Sequence, residues 1–175
     1  MRAAFADRLP RSGDRLDFSV RDGGWRLIGL DTLDAGQPSG HLSSQQLEWL
    51  SSQLSADINS PTVLFMHHPP VAVDCPWLDA IMLRDSERFL RIVTAAQQVR
   101  LVCTGHVHLE SEQRLGHLNV VTSPSTCVQF DRSADGKPVL QQIPPGFRVL
   151  ELHDGEYSTG VVRLPSLKYP STNGT

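Results

Sequence analysis

Two short apolar runs constrain this 175-residue chain more than anything else in it. "PTVLFMHHPP" (61–70) passes through Val63, Leu64, Phe65 and Met66 without polar alternation, and "VRLVCTGHVH" (99–108) carries Leu101, Val102 and Cys103 in a row before Thr104 and Gly105. Short unbroken apolar runs suit a strand covered on both faces, which is characteristic of parallel sheets with layers on either side. Pro69-Pro70 closes the first run, because proline supplies no ladder donor and restricts the residue before it. Each run ends in a pair of histidines, His67 with His68 and His106 with His108.

The stretches between and before these runs extend the pattern. "GGWRLIGLDT" (23–32) reads as another buried strand, ending near Asp31. In "LSSQQLEWLSSQLSAD" Ser43 stands three residues before Gln46, the capping-box spacing, and Leu47, Leu50 and Leu54 share a helical face, so a helix is expected over 44–56. "RDSERFLRIVTAAQQ" (84–98) brings Phe89, Leu90, Val93 and Ala96 together at helical spacing, with Asp85 and Ser86 as candidate caps. Strand, helix, strand, helix, strand is the order of an α/β layered fold. From residue 109 the texture changes to meander-like strands at 117–123, 147–153 and 157–163, with turn signals at Asp135-Gly136 and Asp154-Gly155. One domain over 1–165 and a flexible tail over 166–175 are expected.

Ligands gather outside the carboxyl ends of strands in α/β sheets, so both histidine pairs are expected to face one crevice. Neutral imidazole is a common ligand for zinc, manganese and iron, and such sites need several donors at fixed positions. Gly105 is expected to carry the sharp turn out of its strand and to leave room for a metal or phosphate. The residues leave open whether His106 and His108 serve two ions or share one. The blander alternatives are that His68 packs beside the prolines and that Asp31 caps the next turn. His41, His117 and His153 read as surface or strand residues, Cys103 as a small core residue and Cys127 as a half-buried thiol.

Composition narrows the partners. A formal net charge of -3 gives no basic field for nucleic acid. No apolar run reaches the ~20 residues of a membrane span, and "MRAAFADRLPRSGDRLDF" lacks the apolar core of a signal peptide. Three cysteines without a CxxC pair give neither a disulfide framework nor a zinc knuckle. A cytoplasmic protein acting on a small molecule, with no nucleic acid or membrane partner, is the expectation.

"FMHHPP", "CTGHVH" and "PSTCVQF" resemble, in order and spacing, the C-terminal half of the calcineurin-like metallophosphoesterases. "GHLSSQQLEWL", "DCPWLD" and "PPGFRVLELHDG" look like the class III 3',5'-cyclic-nucleotide phosphodiesterase branch, the cyclic AMP type, so the resemblance covers roughly residues 25–165. It implies the C-terminal part of a four-layer α/β/β/α sandwich and two divalent metal ions, Mn, Fe or Zn. It implies hydrolysis of a phosphodiester, 3',5'-cyclic AMP to 5'-AMP in that branch, by metal-bound hydroxide at a dinuclear centre. Carried over by position, His67 and His106 match ligands of the second metal and His108 a ligand of the first.

The family's D-x-H, G-D-x-x-D and G-N-H-D/E motifs are missing from this sequence. "GDRLD" (13–17) matches one as a string, but no strand precedes it and no G-N-H follows. In the family a segment like "MRAAFADRLP" follows shortly after G-N-H-D, so this chain is expected to correspond to the second half alone, to be inactive by itself, and to self-associate through an exposed sheet edge. The enzymatic alternative is a glycerophosphodiesterase or broad phosphodiesterase on the same metal core. The non-enzymatic ones are a metal- or partner-binding remnant and a plain structural α/β domain.

Overall fold

The computed structural model describes residues 16–132 and 137–165. Its centre is a six-stranded sheet with spatial order β1-β2-β3-β4-β6-β5, in which β1 is Phe18–Asp22, β2 Trp25–Gly29, β3 Thr62–Phe65, β4 Val99–Thr104, β5 Ser111–Leu115 and β6 Leu118–Thr122. β2, β3, β4 and β6 run parallel, and β1 and β5 close the two edges antiparallel.

The unbroken apolar runs are explained by burial on both faces. Consecutive strand residues point to opposite sides: Leu64, Val102 and Val120 pack with the helices, while their neighbours Val63, Leu101 and Val121 pack on the opposite face with Trp25. Helices α1 (Ser44–Ala56) and α3 (Ser86–Ala95) cover the first side through Leu47, Leu50, Leu54, Phe89 and Val93. A hairpin of β9 (Gly146–His153) and β10 (Glu156–Arg163) covers the second with Leu150, Leu152 and Tyr157. Its turn places Asp154 and Gly155 at φ 41° and 83°, the positive values a type I′ turn demands. Short α2 (Pro76–Asp79) and the β7–β8 ribbon (Gln129–Asp131, Val139–Gln141) complete the fold. The described residues thus form α, β and β layers in sequence, the mixed α/β arrangement expected.

Helix α1 spans the range its capping box marks: Ser43 Oγ accepts from the Gln46 amide and the Gln46 side chain accepts from the Ser43 amide. Helix α3 is shorter than the 84–98 of the periodicity, and Asp85 makes no side-chain cap bond. Its carboxylate instead accepts from His41 Nδ1 at 2.6 Å and from the Leu42 amide at 3.0 Å, tying the loop before α1 to the start of α3. The 117–123 segment corresponds to β6, which lies in the central sheet beside β4, not in an outlying meander. Cys127 is exposed, not half-buried. The Asp135-Gly136 turn and the 166–175 tail lie outside the described residues.

Candidate metal centre

β3 and β4 are parallel neighbours with Phe65 opposite Cys103, so both chains leave the sheet side by side at its carboxyl edge. Their exits are stitched together: the Met66 amide donates to the Cys103 carbonyl at 3.1 Å and the Gly105 amide to the His67 carbonyl at 3.0 Å. This places His67, His68 and His106 in one cluster, with one ring nitrogen from each within 4.8 Å of the others. His106 Nδ1 and His67 Nε2 stand 3.2 Å apart.

The sharp turn after β4 is made by the histidines themselves. His106 and His108 have φ of 66° and 53°, while Gly105 has no positive φ. The Val107 amide bonds back to the Gly105 carbonyl at 2.7 Å, closing a three-residue turn around His106. Left-handed conformations are uncommon for non-glycine residues and cluster where the surrounding structure enforces them, often at functional sites. A Cβ on Gly105 would meet His67 at 3.6 Å, an ordinary contact, so that glycine is required neither for conformation nor by its protein neighbours.

His108 stands apart from the cluster. Its Nδ1 donates to the Val128 carbonyl at 2.9 Å, which leaves Nε2 with the lone pair, and its ring stacks on Phe130 at 4.8 Å. Phe130 in turn meets Trp77 edge-on at 4.9 Å, so the loops from "VDCPWLD" and "PSTCVQF" join behind His108. Beside it lies a cavity of about 250 Å³ lined by His108, Asp131, Arg132, Gln141 and Arg163, among others.

The electrostatics favour neutral imidazoles. Burial pushes the His106 pKa down to about 4, helped by the charges of His68, His67 and His108 and opposed by the Ile81 backbone. Burial first, and His108 second, lowers His67; burial first, and His67 second, lowers His68. At neutral pH these groups therefore keep the lone pairs that metal ions require. His106 Nε2 is also buried without a hydrogen bond of good geometry, the Ile81 backbone offering only a weak one, so a bound ion would satisfy it. The donor set fits an imidazole-preferring divalent ion, but the cluster includes no carboxylate among the described residues.

Several carboxylates are engaged elsewhere, among them Glu110, two residues after His108, which pairs with Arg163. Asp79 accepts from the Val73 and Cys75 amides, Asp31 from those of Leu16 and Leu33, and buried Asp17 from the Asp31 amide and Gln46 Nε2. Asp17 belongs to the "GDRLD" string, whose residues 13–15 lie outside the described residues. Burial raises the Cys103 thiol to about 12, so it is no nucleophile at neutral pH.

No family model matches the chain. It is 35% identical over 148 residues to a 3',5'-cyclic-nucleotide phosphodiesterase of Nostoc, covering 84% of this chain and 55% of that protein. It is 41% identical over 143 residues to the 3',5'-cyclic adenosine monophosphate phosphodiesterase CpdA of Vibrio vulnificus, covering 81% and 52% respectively. The chain thus spans about half the length of the curated relatives it matches. Among solved structures, the purple acid phosphatase PPD1 of yellow lupin superposes with a TM-score of 0.61 at 13% identity, over 88% of this chain and 31% of that one. The fold is shared with that purple acid phosphatase, and the sequence resemblance is to cyclic-nucleotide phosphodiesterases over about half their length.

Proposed function

We propose that this chain, similar to the cyclic-nucleotide phosphodiesterases over half their length, supplies the histidine side of a metal-dependent phosphodiester hydrolase. The best-supported substrate is a 3',5'-cyclic nucleotide, cyclic AMP first, after the activities for which the relatives are named. The observation that carries the reading is the meeting of His67 and His106 at the ends of adjacent parallel strands, with lowered pKa values and a buried His106 Nε2 without a hydrogen bond of good geometry.

Divalent ions in such a centre, Mn, Fe or Zn, lower the pKa of bound water and neutralise charge on phosphoryl oxygens. His67 and His106 would hold one ion and His108, through Nε2, a second. The Val128 carbonyl fixes the His108 tautomer, the usual arrangement for a ligating imidazole. The cavity beside His108 is lined by Arg132 and Arg163, cations that would favour an anionic substrate, and by Glu110 and Asp131, with Arg163 already paired to Glu110.

Histidines alone leave two dications a few ångströms apart without the negative charge that offsets their repulsion. The chain is therefore inactive by itself, and activity requires carboxylates supplied from outside the cluster. Hydrolysis of a chromogenic phosphodiester with added manganese tests this, comparing the 175-residue chain with a version extended upstream in the gene. Turnover by the extended form only, abolished by His106→Ala, supports the reading. Full activity of the 175-residue chain would contradict it. The lack of a carboxylate in the cluster favours one second reading, a non-catalytic metal-binding protein, which predicts metal uptake by both forms and turnover by neither.

A further inference from the structure

His68 is the one member of the cluster whose two ring nitrogens both have hydrogen-bond partners. Its Nε2 lies 3.2 Å from the Pro38 carbonyl and its Nδ1 lies 2.8 Å from Thr32 Oγ1. A carbonyl only accepts, so Nε2 must carry the proton, and Nδ1 must then accept from the threonine hydroxyl. No lone pair of His68 is left for a metal. The ring is buried, and it packs against both neighbours, with centroids 4.9 Å from His67 and 4.3 Å from His106.

The segment holding His68 is itself fastened. A Cβ on Gly40 would fall 2.6 Å from the His68 ring, so only glycine lets the loop close this far. Gly40 donates to the Met82 carbonyl at 3.2 Å and accepts from the Arg84 amide at 3.0 Å, and Arg84 also pairs with Asp34. His41 bonds Asp85, and the Leu83 amide donates to the Pro69 carbonyl at 3.0 Å. Residues 82–85 thus fasten the loop of residues 32–42 that holds the imidazole.

We propose that His68 is a positioning residue, held as the Nε2–H tautomer by Thr32 and Pro38 in a pocket that Gly40 makes possible, and that its ring sets the orientation of His67 and His106. The ligand role of those two rests on the reading above; the state of His68 does not. Outer residues that orient ligands change metal affinity by roughly 10–100-fold when removed. Thr32→Val removes the donor to Nδ1 and keeps the shape, whereas Thr32→Ser keeps the hydroxyl.

Long-range 15N–1H correlation spectra of the labelled full chain without metal test the first part. The expected result is a single His68 tautomer with Nε2 protonated, kept in Thr32→Ser and lost or averaged in Thr32→Val. Protonation at Nδ1, or averaging in the wild type, would overturn the proposal. Zinc titration calorimetry tests the second part. Affinity is expected to fall about 10-fold in Thr32→Val and Gly40→Ala and to stay within about twofold in Thr32→Ser. If His68 is itself a ligand, freeing Nδ1 leaves zinc affinity unchanged or higher in Thr32→Val, which would overturn positioning. A wild-type chain that binds no zinc defeats the metal reading, and the spectra still decide the state of His68.

Discussion

The two faces of the central sheet are built differently. On one side α1 and α3 lay Leu47, Leu50, Leu54, Phe89 and Val93 over Ile28, Leu64, Val102 and Val120, in one continuous buried cluster. On the other, only Trp25, Val63, Leu101 and Val121 form the buried centre, and the β9–β10 hairpin covers them with partly buried Leu150, Leu152 and Tyr157. The hairpin's outward side exposes Phe147, Val149 and Val162 at 40%, 38% and 45%. The helical face therefore carries most of the hydrophobic stabilisation, and the hairpin face is a thinner cover.

Truncation in the helical face sharpens that difference most. Leu50 has no exposed surface, so Leu50→Ala is expected to cost about 3 kcal/mol, read as a shift of the urea midpoint at constant slope. A change below about 1 kcal/mol would mean that the helices are not the main cover.

A pH series probes the carboxyl edge of the sheet, where the histidines emerge. Their folded pKa values lie below the ordinary 6.5, with His106 at about 4. The unfolded chain therefore binds more protons, so stability is full above about pH 6.5 and falls as pH drops toward 4. The loss is on the order of 2 kcal/mol, at about 1.4 kcal/mol per unit of lowering with partial exposure discounted. Denaturation curves at pH 7.5 and 5 with equal midpoints would refute the burial of neutral imidazoles.

A smaller effect is expected on the hairpin face. The Tyr157 hydroxyl accepts from Asn119 Nδ2 while its ring meets Trp25 edge-on at 6.4 Å. Tyr157→Phe keeps the ring contact and loses the hydrogen bond, for a cost of about 1 kcal/mol. A loss as large as that of Leu50→Ala would erase the contrast between the faces. Smallest is Gly105→Ala, expected within about 0.5 kcal/mol because neither conformation nor protein neighbours require glycine there.

What the sequence makes legible follows the range over which each feature is determined. Helix α1 is readable to the residue because Ser43 and Gln46 cap it locally. The buried strands are readable because both their faces are apolar. Helix α2 is not, since four residues carry no periodicity and the segment is held by Asp79 taking two preceding amides. Strand β1 is obscured by Arg21 and Asp22 at its exposed end. At the site, the convergence of His67 and His106 follows from strand order, but the left-handed turn at His106 and His108 does not, because glycine is the expected residue for it. The surroundings of His68 come from Thr32, Pro38 and Gly40, 28 to 36 positions earlier in the chain, and no local pattern reveals them.

The account stands on the two histidines that leave β3 and β4 acting together. Manganese or zinc titration of the full chain by calorimetry, beside His67→Ala and His106→Ala, tests this most directly. Binding of an ion by the wild type that is lost in both variants is the predicted result. Binding of equal strength in all three chains would contradict it.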